Sequence, residues 1–311
     1  MLGSQCAASE PVPAHSLWRG QDMSPNMRGA LLMTGSMAAF TCNDTVVKLL
    51  GSEMPLFQIL VLRSGLSAVW IYFLARRLGA LHLRFGRRDR MLVALRCLSE
   101  IGATYFFLTA LLNMPLANVT AVLQMLPLTV TLGAALFFGE QVGWRRMLAI
   151  GLGFCGMLLI VRPGPDGFTL HAIYAMAAVI CVTARDLVTR RMSSHVPSLT
   201  VTLATALSVM SFGLVGSLTV DWVPLTTDLG LGLLAASLLV LGGYLFSVMV
   251  MRIGEVGFVA PFRYSSLLWA LVLGWLVFGD WPDPLTMAGV ALVVATGLFT
   301  LFRERASRHR G

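Results

Sequence analysis

Eight ionisable side chains interrupt long apolar stretches of this 311-residue sequence, and they are its main candidates for chemistry. A charged group at the centre of a membrane helix costs roughly 2.5–3.5 kcal/mol on insertion scales, so such a residue is usually functional or paired. The eight residues are Asp44, Lys48, Arg63, Arg96, Glu100, Arg185, Asp186 and Arg263.

The spacing of these charges predicts some of their partners. Asp44 and Lys48 lie four positions apart, which places them on one face of a helix, and so do Arg96 and Glu100. Arg63 has no acid within a turn of its own helix, and a guanidinium can hold a carboxylate or phosphate through two parallel hydrogen bonds. The five cations outnumber the three acids, which favours a site for an electron-rich solute. The alternative is that Arg63 pairs with Asp44 or Glu100 across helices.

Polar and aromatic residues in apolar surroundings are the other candidates for a solute cavity. Packing and hydrogen bonds between helices are the alternative role for each of them. The predicted substrate-binding residues are Arg63, Tyr105, Gln124, Tyr244, Arg263, Tyr264, Ser265 and Trp269. The residues predicted to serve coupling or gating are Asp44, Lys48, Glu100 and Asp186.

The composition predicts the elements that position these residues. The sequence is 57% hydrophobic and 12% charged, with a mean hydropathy of +0.78, whereas soluble domains carry about 25% charged residues. A soluble enzyme, a disordered chain and a disulfide scaffold are excluded, and an integral membrane protein remains. Ten continuous apolar runs are long enough to cross the bilayer as helices. They lie near 29–50, 55–75, 91–112, 117–138, 145–162, 168–189, 198–219, 229–251, 257–278 and 284–302.

The arginines predict the orientation of the chain. With the N-terminus in the cytoplasm, the alternating inner loops hold nearly all loop arginines and the outer loops hold Arg162 alone. This asymmetry predicts an even number of spans with both termini in the cytoplasm. It also explains the net charge of +8 without nucleic acid. Residues 1–28 lack an apolar signal-peptide core and are expected to be a disordered tail, with Met1, Met23 or Met27 as the start.

An internal repeat is the strongest organisational feature. The segment from Thr41 to Lys48 is matched 142 positions later, so that Asp44 corresponds to Asp186. Pro55 and Pro197 share that offset, and Tyr105 precedes Tyr244 by 139 positions. Each copy has five spans, which is an odd number, so the second copy must enter the membrane from the side opposite to the first. This predicts an inverted-topology repeat of the kind found in secondary transporters.

Several sequence motifs are set aside. The glycines at 151, 153 and 156 fit a dinucleotide-binding pattern but fall inside an apolar run, where small residues let helices approach closely. Lys48 is the only lysine, so no phosphate-binding Walker motif exists and ATP-driven transport by this chain is excluded. The cysteines and histidines lack metal-ligand spacing. No cofactor and no metal are predicted.

Together these residues resemble the drug/metabolite transporter superfamily, in its ten-helix branch built from two EamA-type domains. The resemblance covers roughly residues 29–303 and rests on Asn43-Asp44…Lys48, Pro55 with Arg63, Leu116 to Val119, Gly139-Glu140, Arg162-Pro163-Gly164, Ala260 to Tyr264 and Gly279-Asp280. Asp280 departs from the usual glutamate but keeps the charge. The resemblance implies transport of small metabolites, and it is nearest to members that import riboflavin or move amino-acid-like solutes.

The sequence therefore predicts an all-α polytopic membrane protein of ten transmembrane helices arranged as two inverted five-helix repeats. The predicted units are a tail at 1–28, repeats at 29–164 and 165–303, and a basic tail at 304–311. The predicted function is secondary transport of a riboflavin-like or amino-acid-like solute by alternating access. A membrane enzyme acting on a lipid and an uncoupled facilitator or sensor are the alternatives. The predicted partners are a small-molecule solute, protons and membrane lipid; a homodimer is left open.

Overall fold

A computed structural model describes residues 25–79, 86–139, 143–161, 169–193, 195–253 and 256–308. These residues are helical or form short connections, and no strand occurs among them. Residues 1–24 of the predicted amino-terminal tail, Arg162 and residues 309–311 lie outside the described residues. The all-helical class expected from the apolar runs is confirmed for the described part of the chain.

Twelve α-helices follow one another along these residues. A 3-10 helix over Ser217–Thr219 follows α8, and another over Ala260–Tyr264 separates α10 from α11. The bounds are α1 Pro25–Leu50, α2 Leu56–Arg77, α3 Arg87–Asn113, α4 Leu116–Leu123, α5 Leu126–Phe138, α6 Trp144–Val161, α7 Leu170–Arg190, α8 Ser198–Gly216, α9 Thr227–Ile253, α10 Val256–Val259, α11 Ser265–Phe278 and α12 Pro284–Arg308.

Seven helical segments of the described residues are long and apolar enough to cross a membrane. Two further apolar helices, Met147–Val161 and Pro284–Thr300, are shorter. Helix α1 is not among the seven, because Asp44, Lys48 and several hydroxyl-bearing residues dilute its apolar character. The seven segments are 56–77, 87–113, 116–138, 170–190, 198–219, 227–247 and 260–278. The count of ten spans stays a prediction.

The surface of the bundle is apolar, as a protein surrounded by lipid requires. Phe137 is 71% exposed and Leu268 is 66% exposed, and many other leucines face outward in the same way. A monomeric soluble protein rarely exposes such continuous apolar surface. The outward faces of these helices therefore match a hydrocarbon solvent rather than water.

Two helical segments, α4–α5 and the segment that leads into α11, contain a break near a proline and end at a glycine. Helix α4 is separated from α5 by a turn at Gln124 and Met125, and Pro127 begins the continuation. The 3-10 segment before α11 contains Pro261. Proline supplies no backbone N–H and crowds the preceding turn, so it interrupts a helix at such points. Both α5 and α11 then end at a glycine in the left-handed region, Gly139 at φ 68° and Gly279 at φ 71°.

The helices pack chiefly as antiparallel pairs. Helix α1 packs against α9, α3 against α7, α6 against α12, and α2 against α8. The backbones of α6 and α12 come unusually close, since a methyl group added at Gly156 would lie 2.9 Å from the carbonyl oxygen of Gly289. Two large apolar clusters stabilise these pairs, one around Ile150 and Val293 and one around Leu60 and Leu111.

Candidate functional site

A cavity of about 530 Å³ lies among the helices. Helices α1, α2, α3, α4, α7 and α9 contribute to its wall, together with the broken segment around Arg263. Its volume lies within the range of roughly 300–1,000 Å³ that is typical of small-molecule sites. Seven of the sequence-predicted residues lie on its wall: Asp44, Arg63, Glu100, Gln124, Asp186, Tyr244 and Arg263.

The first polar cluster of the wall joins α1 to α2. The side-chain amide of Asn43 donates to Oδ1 of Asp44 over 2.9 Å. Arg63 donates from Nη1 to Oδ1 of Asn43 over 3.3 Å, so Asn43 lies between the guanidinium and the carboxylate. The Nε of Arg63 is buried and has no hydrogen-bond partner among the described residues. This N–H group is therefore enclosed by protein atoms and its donor capacity is unused.

The second polar cluster joins α3 to α7. Arg185 contacts Oδ1 of Asp186 over 2.9 Å and Oε2 of Glu100 over 3.4 Å. The three side chains are 15–31% exposed, so the two ion pairs are only partly screened by solvent. One guanidinium is therefore shared by two carboxylates, which leaves a formal charge of −1 on the cluster, and it ties the two helices together.

The predicted same-helix ion pairs do not form between these described residues. Lys48 donates instead to the carbonyl oxygens of Leu111 and Met114, over 2.7 Å and 2.6 Å. Those carbonyls belong to the end of α3, where a helix leaves its last acceptors without intrahelical partners. Glu100 likewise pairs with Arg185 across helices, while Arg96 donates to the hydroxyl of Thr189.

The wall carries balanced charge rather than the expected positive surplus. Lys48 and Arg96 are absent from the wall, so its described residues include three arginines and three acids, a formal sum of zero. Arg263 is exposed and lines the cavity, while Arg185 contacts two acids. The expectation of an electropositive cavity was wrong because two of the cations contact other groups.

Aromatic and thioether side chains cover much of the remaining wall. The rings of Phe40 and Tyr244 meet edge to face with centroids 5.3 Å apart, and Tyr244 is 38% exposed. Phe107, Met33 and Met37 add apolar surface. Such a wall suits a planar or amphipathic solute, because aromatic rings present flat apolar faces and methionine adapts to irregular shapes.

The two interrupted segments meet at the cavity. Gln124, in the turn between α4 and α5, donates its side-chain amide to the hydroxyl of Ser266. Ser266 donates in turn to the carbonyl oxygen of Arg263 over 3.1 Å. Irregular backbone at membrane depth is tolerated where it lines a cavity or is buried in protein. Here the two breaks are joined to each other by side-chain bonds.

The cavity does not extend along the whole of α1. Its residues on α1 run from Met33 to Asp44, whereas Val47 and Leu50 belong to an apolar cluster with Leu108. Lys48 lies at that packed end, and its Nζ is 5.4 Å from the centroid of the Phe278 ring. The bundle is therefore closed by packed side chains at the end where the carboxyl terminus of α1 lies.

The other four predicted binding residues lie off the wall of this cavity. Tyr105 belongs to an aromatic cluster with Phe57 and Phe212. Tyr264 is buried and packs against α12, and its hydroxyl has no partner among the described residues, as is also true of Ser265 Oγ. Trp269 is 37% exposed.

The model of the EamA-like transporter family matches the chain twice, over residues 27–162 and 169–302. The chain belongs to the EamA-like transporter family. It is a multi-pass membrane protein of a transporter family rather than of an enzyme family. The resemblance deduced from the motifs is confirmed.

Individual relatives of this EamA chain are transporters of different solutes. The chain is 28% identical to the riboflavin transporter of Rhizobium johnstonii over 287 residues, which cover 89% of this chain and 91% of that protein. It is 26% identical to the pseudopaline exporter of Pseudomonas aeruginosa over 273 residues, covering 86% and 93%. A solved crystal structure matches 89% of this chain and 98% of its own chain, with a TM-score of 0.63 at 16% identity, which shows the fold alone.

Two residues that organise the polar wall of this EamA protein, Asn43 and Arg185, were not among the predicted binding or coupling residues, although Arg185 was one of the eight intramembrane charges. Asn43 and Arg185 each precede a predicted carboxylate in the chain and contact it in the structure. The signal was present, because the two positions correspond across the internal repeat of 142 residues. The hydroxyls of Thr104 and Ser247 also line the cavity, and nothing in the sequence separates them from other helix hydroxyls.

Proposed function

We propose that this EamA protein is a secondary transporter that moves a riboflavin-like or amino-acid-like solute across a bacterial inner membrane by alternating access. The observation that carries the proposal is the cavity of about 530 Å³, with balanced charges and an aromatic wall, enclosed by helices from both matched halves of the chain. The proposed repeats span 29–164 and 165–303, and both termini are proposed to lie in the cytoplasm.

The helix contacts support an inverted repeat. Pairing the first five predicted spans in order with the last five relates the α1–α9 contact to the α7–α3 contact. The same exchange relates α2–α9 to α8–α3, and it carries α6–α12 and α2–α8 onto themselves. Such a pattern is expected of two five-helix units related by a two-fold axis in the membrane plane.

The chemistry of the wall supports an amphipathic organic solute. Phe40 and Tyr244 present rings to the cavity, and the guanidinium of Arg63 lies on the same wall. The riboflavin transporter among the relatives makes a flavin the first candidate. An amino-acid-like solute is the second candidate, because a wall with three cations and three anions can pair with both ends of a zwitterion.

We assign the gate and the coupling to the charged residues. Lys48 joins α1 to the end of α3. Breaking its hydrogen bonds to the α3 carbonyls would let the helices separate at the packed end of the bundle. Arg185, held by Glu100 and Asp186, ties α3 to α7 and serves the gate at the other end. Asp44 is the candidate for proton coupling, since its nearest described partner is the neutral amide of Asn43. The proposed partners are a solute, protons and lipid, and a homodimer is compatible with the apolar surface.

Uptake of labelled riboflavin into a riboflavin-requiring, transport-deficient bacterium tests this proposal. Cells that express the chain should take up the label, and excess unlabelled riboflavin should compete. Arg63→Leu should abolish uptake, whereas Arg76→Leu, an exposed arginine on the same helix, should not. A panel of neutral and aromatic amino acids tests the second candidate in the same cells.

A protonophore then separates coupled transport from facilitated diffusion. Accumulation above the external concentration that collapses with the protonophore supports coupling. Equilibration without accumulation, unaffected by the protonophore, contradicts it. Absence of uptake for every solute of the panel, with the protein present in the membrane, would contradict the proposed solute classes.

A further inference from the structure

A second and smaller cavity adjoins the first. It measures about 70 Å³ and lies among α2, α3, α8 and α9. Arg63, Glu100, Thr104, Val240 and Tyr244 line both cavities. A solute in the first cavity could therefore extend a narrow substituent into the second. We call this smaller space the side cavity.

Hydroxyl groups dominate the polar part of the side cavity. Ser64 and Ser67 are three positions apart on α2, and Thr202 and Thr205 are three apart on α8, so each pair shares a helix face. Thr104 completes the set with Tyr244. Ser64, Ser67 and Thr205 are only 5–7% exposed.

The hydrogen-bond capacity of this wall is mixed. Thr202 donates its hydroxyl to the carbonyl oxygen of Ser198 over 2.9 Å, and Thr205 donates to that of Thr202 over 2.9 Å. Each threonine oxygen therefore keeps lone pairs for accepting a hydrogen bond. The guanidinium of Arg63 also lines this wall and adds N–H donors. Glu100 adds acceptors.

The charges of the side cavity exclude an ionic occupant. An anion beside Arg63 would also lie beside Glu100, and a cation beside Glu100 would also lie beside Arg63. Neither ion gains net attraction from such a wall, while both lose their hydration. A neutral group that both donates and accepts hydrogen bonds avoids this cost. Ile71, Val209 and Leu241 supply apolar surface for a carbon chain.

We propose that the side cavity binds a neutral polyhydroxylated chain of the transported solute, of the sugar-alcohol or sugar type, while the ring of that solute occupies the main cavity. This inference rests on the proposed function and specifies its solute. A water molecule occupies about 30 Å³ of liquid volume, so the side cavity of about 70 Å³ holds about two waters. Hydroxyl groups at the end of such a chain would replace the hydrogen bonds of those waters.

Binding of riboflavin and lumiflavin to the purified full-length protein in detergent tests the proposal. The two compounds share the ring, but lumiflavin carries a methyl group in place of the hydroxylated chain. We expect the wild-type protein to bind riboflavin about tenfold more tightly, the factor that one or two net hydrogen bonds supply. Quenching of flavin fluorescence on titration measures both dissociation constants.

Two variants remove hydroxyls from the side cavity with little change in volume. Ser67→Ala and Thr205→Val should each weaken riboflavin binding about fivefold and leave lumiflavin binding unchanged. Ser211→Ala is the matched control, because Ser211 is an exposed hydroxyl on α8, and it should change neither affinity. If the Thr205→Val protein does not reach the membrane in a folded form, the riboflavin and lumiflavin affinities of Ser67→Ala provide the comparison.

The outcomes separate this inference from the function on which it rests. Binding of riboflavin and lumiflavin with equal affinity to the wild type would overturn the side-cavity assignment while the flavin-transport proposal stands. An equal loss of both affinities in Ser67→Ala and Thr205→Val would overturn it as well. If neither flavin binds the wild type, the proposed flavin transport fails, and the assignment of the side cavity fails with it.

Discussion

The two polar clusters of the cavity contain related residues but differ in how directly their charges are paired. In the second cluster one guanidinium, Arg185, contacts both Asp186 and Glu100. In the first cluster a neutral amide, Asn43, separates Arg63 from Asp44, and Arg63 keeps an unpartnered donor. The carboxylates Asp44 and Asp186 occupy corresponding positions of the repeat, so the residue that precedes each one makes the difference.

This difference teaches that position in a repeat does not fix the role of a carboxylate. An acid held by a charge-assisted ion pair stabilises the contact between its helices. An acid that contacts only an amide can change its protonation state without breaking an ion pair. We therefore expect the second cluster to stabilise the bundle and the first to act on the solute.

The largest effect should follow from Arg185→Leu, which leaves Glu100 and Asp186 without their shared cation. Removal of one member of a buried ion pair costs about 3 kcal/mol, and the partial exposure of these side chains lowers this to about 2 kcal/mol. Thermal unfolding in detergent should show a clearly lower midpoint. Arg185→Lys keeps the charge and should lose less. A wild-type midpoint for Arg185→Leu would remove the structural role from the second cluster.

Substitution of Arg63 should act on the solute rather than on the fold. Arg63→Lys keeps the charge but loses the planar fork, so we expect about tenfold weaker solute binding with an unfolding midpoint near that of the wild type. Arg63→Leu should bind still more weakly. Arg76→Leu on the same helix is the control. If both substitutions of Arg63 left the affinity unchanged, the arginine would have no contact with the solute.

The smallest and most selective effect should separate the two aspartates. Asp44→Asn preserves the side-chain shape and an acceptor for Asn43, so insertion and stability should be unchanged. Net uptake should fall and its pH dependence should flatten, while exchange of solute across the membrane survives. Asp186→Asn should retain the pH dependence and lower the stability. An unchanged pH profile in Asp44→Asn would exclude that residue from coupling.

Much of the helical organisation could be predicted because each element has a strong local cause. Continuous apolar runs predict helices in lipid, and Pro55, Pro115 and Pro197 stand directly before α2, α4 and α8. The break at Gln124 was harder to predict, since Pro127 lies inside an otherwise apolar run. The number of spans depends on α1, α6 and α12. Polar residues weaken the hydropathy of α1, and the apolar stretches of α6 and α12 are shorter.

The site was less predictable because its geometry depends on which helices face each other. Spacing along one helix predicts that Asp44 and Lys48 share a face, but the carbonyls at the end of α3 offer Lys48 better partners. Tyr105 and Tyr244 correspond in the repeat, yet only Tyr244 lines the cavity. Such choices follow from contacts between helices distant in the chain, which periodicity does not report.

The close approach of α6 and α12 has a mechanical consequence. A methyl group at Gly289 would lie 2.6 Å from the carbonyl oxygen of Gly156, and one at Gly213 of α8 would lie 2.9 Å from Cβ of Leu60 on α2. No described residue of α6 or α12 lines the main cavity. Under the proposed alternating access we expect these close contacts to act as pivots, because helices already in backbone contact can rotate against each other without separating. The α1–α9 and α3–α7 pairs, which do line the cavity, would then carry out the larger displacement.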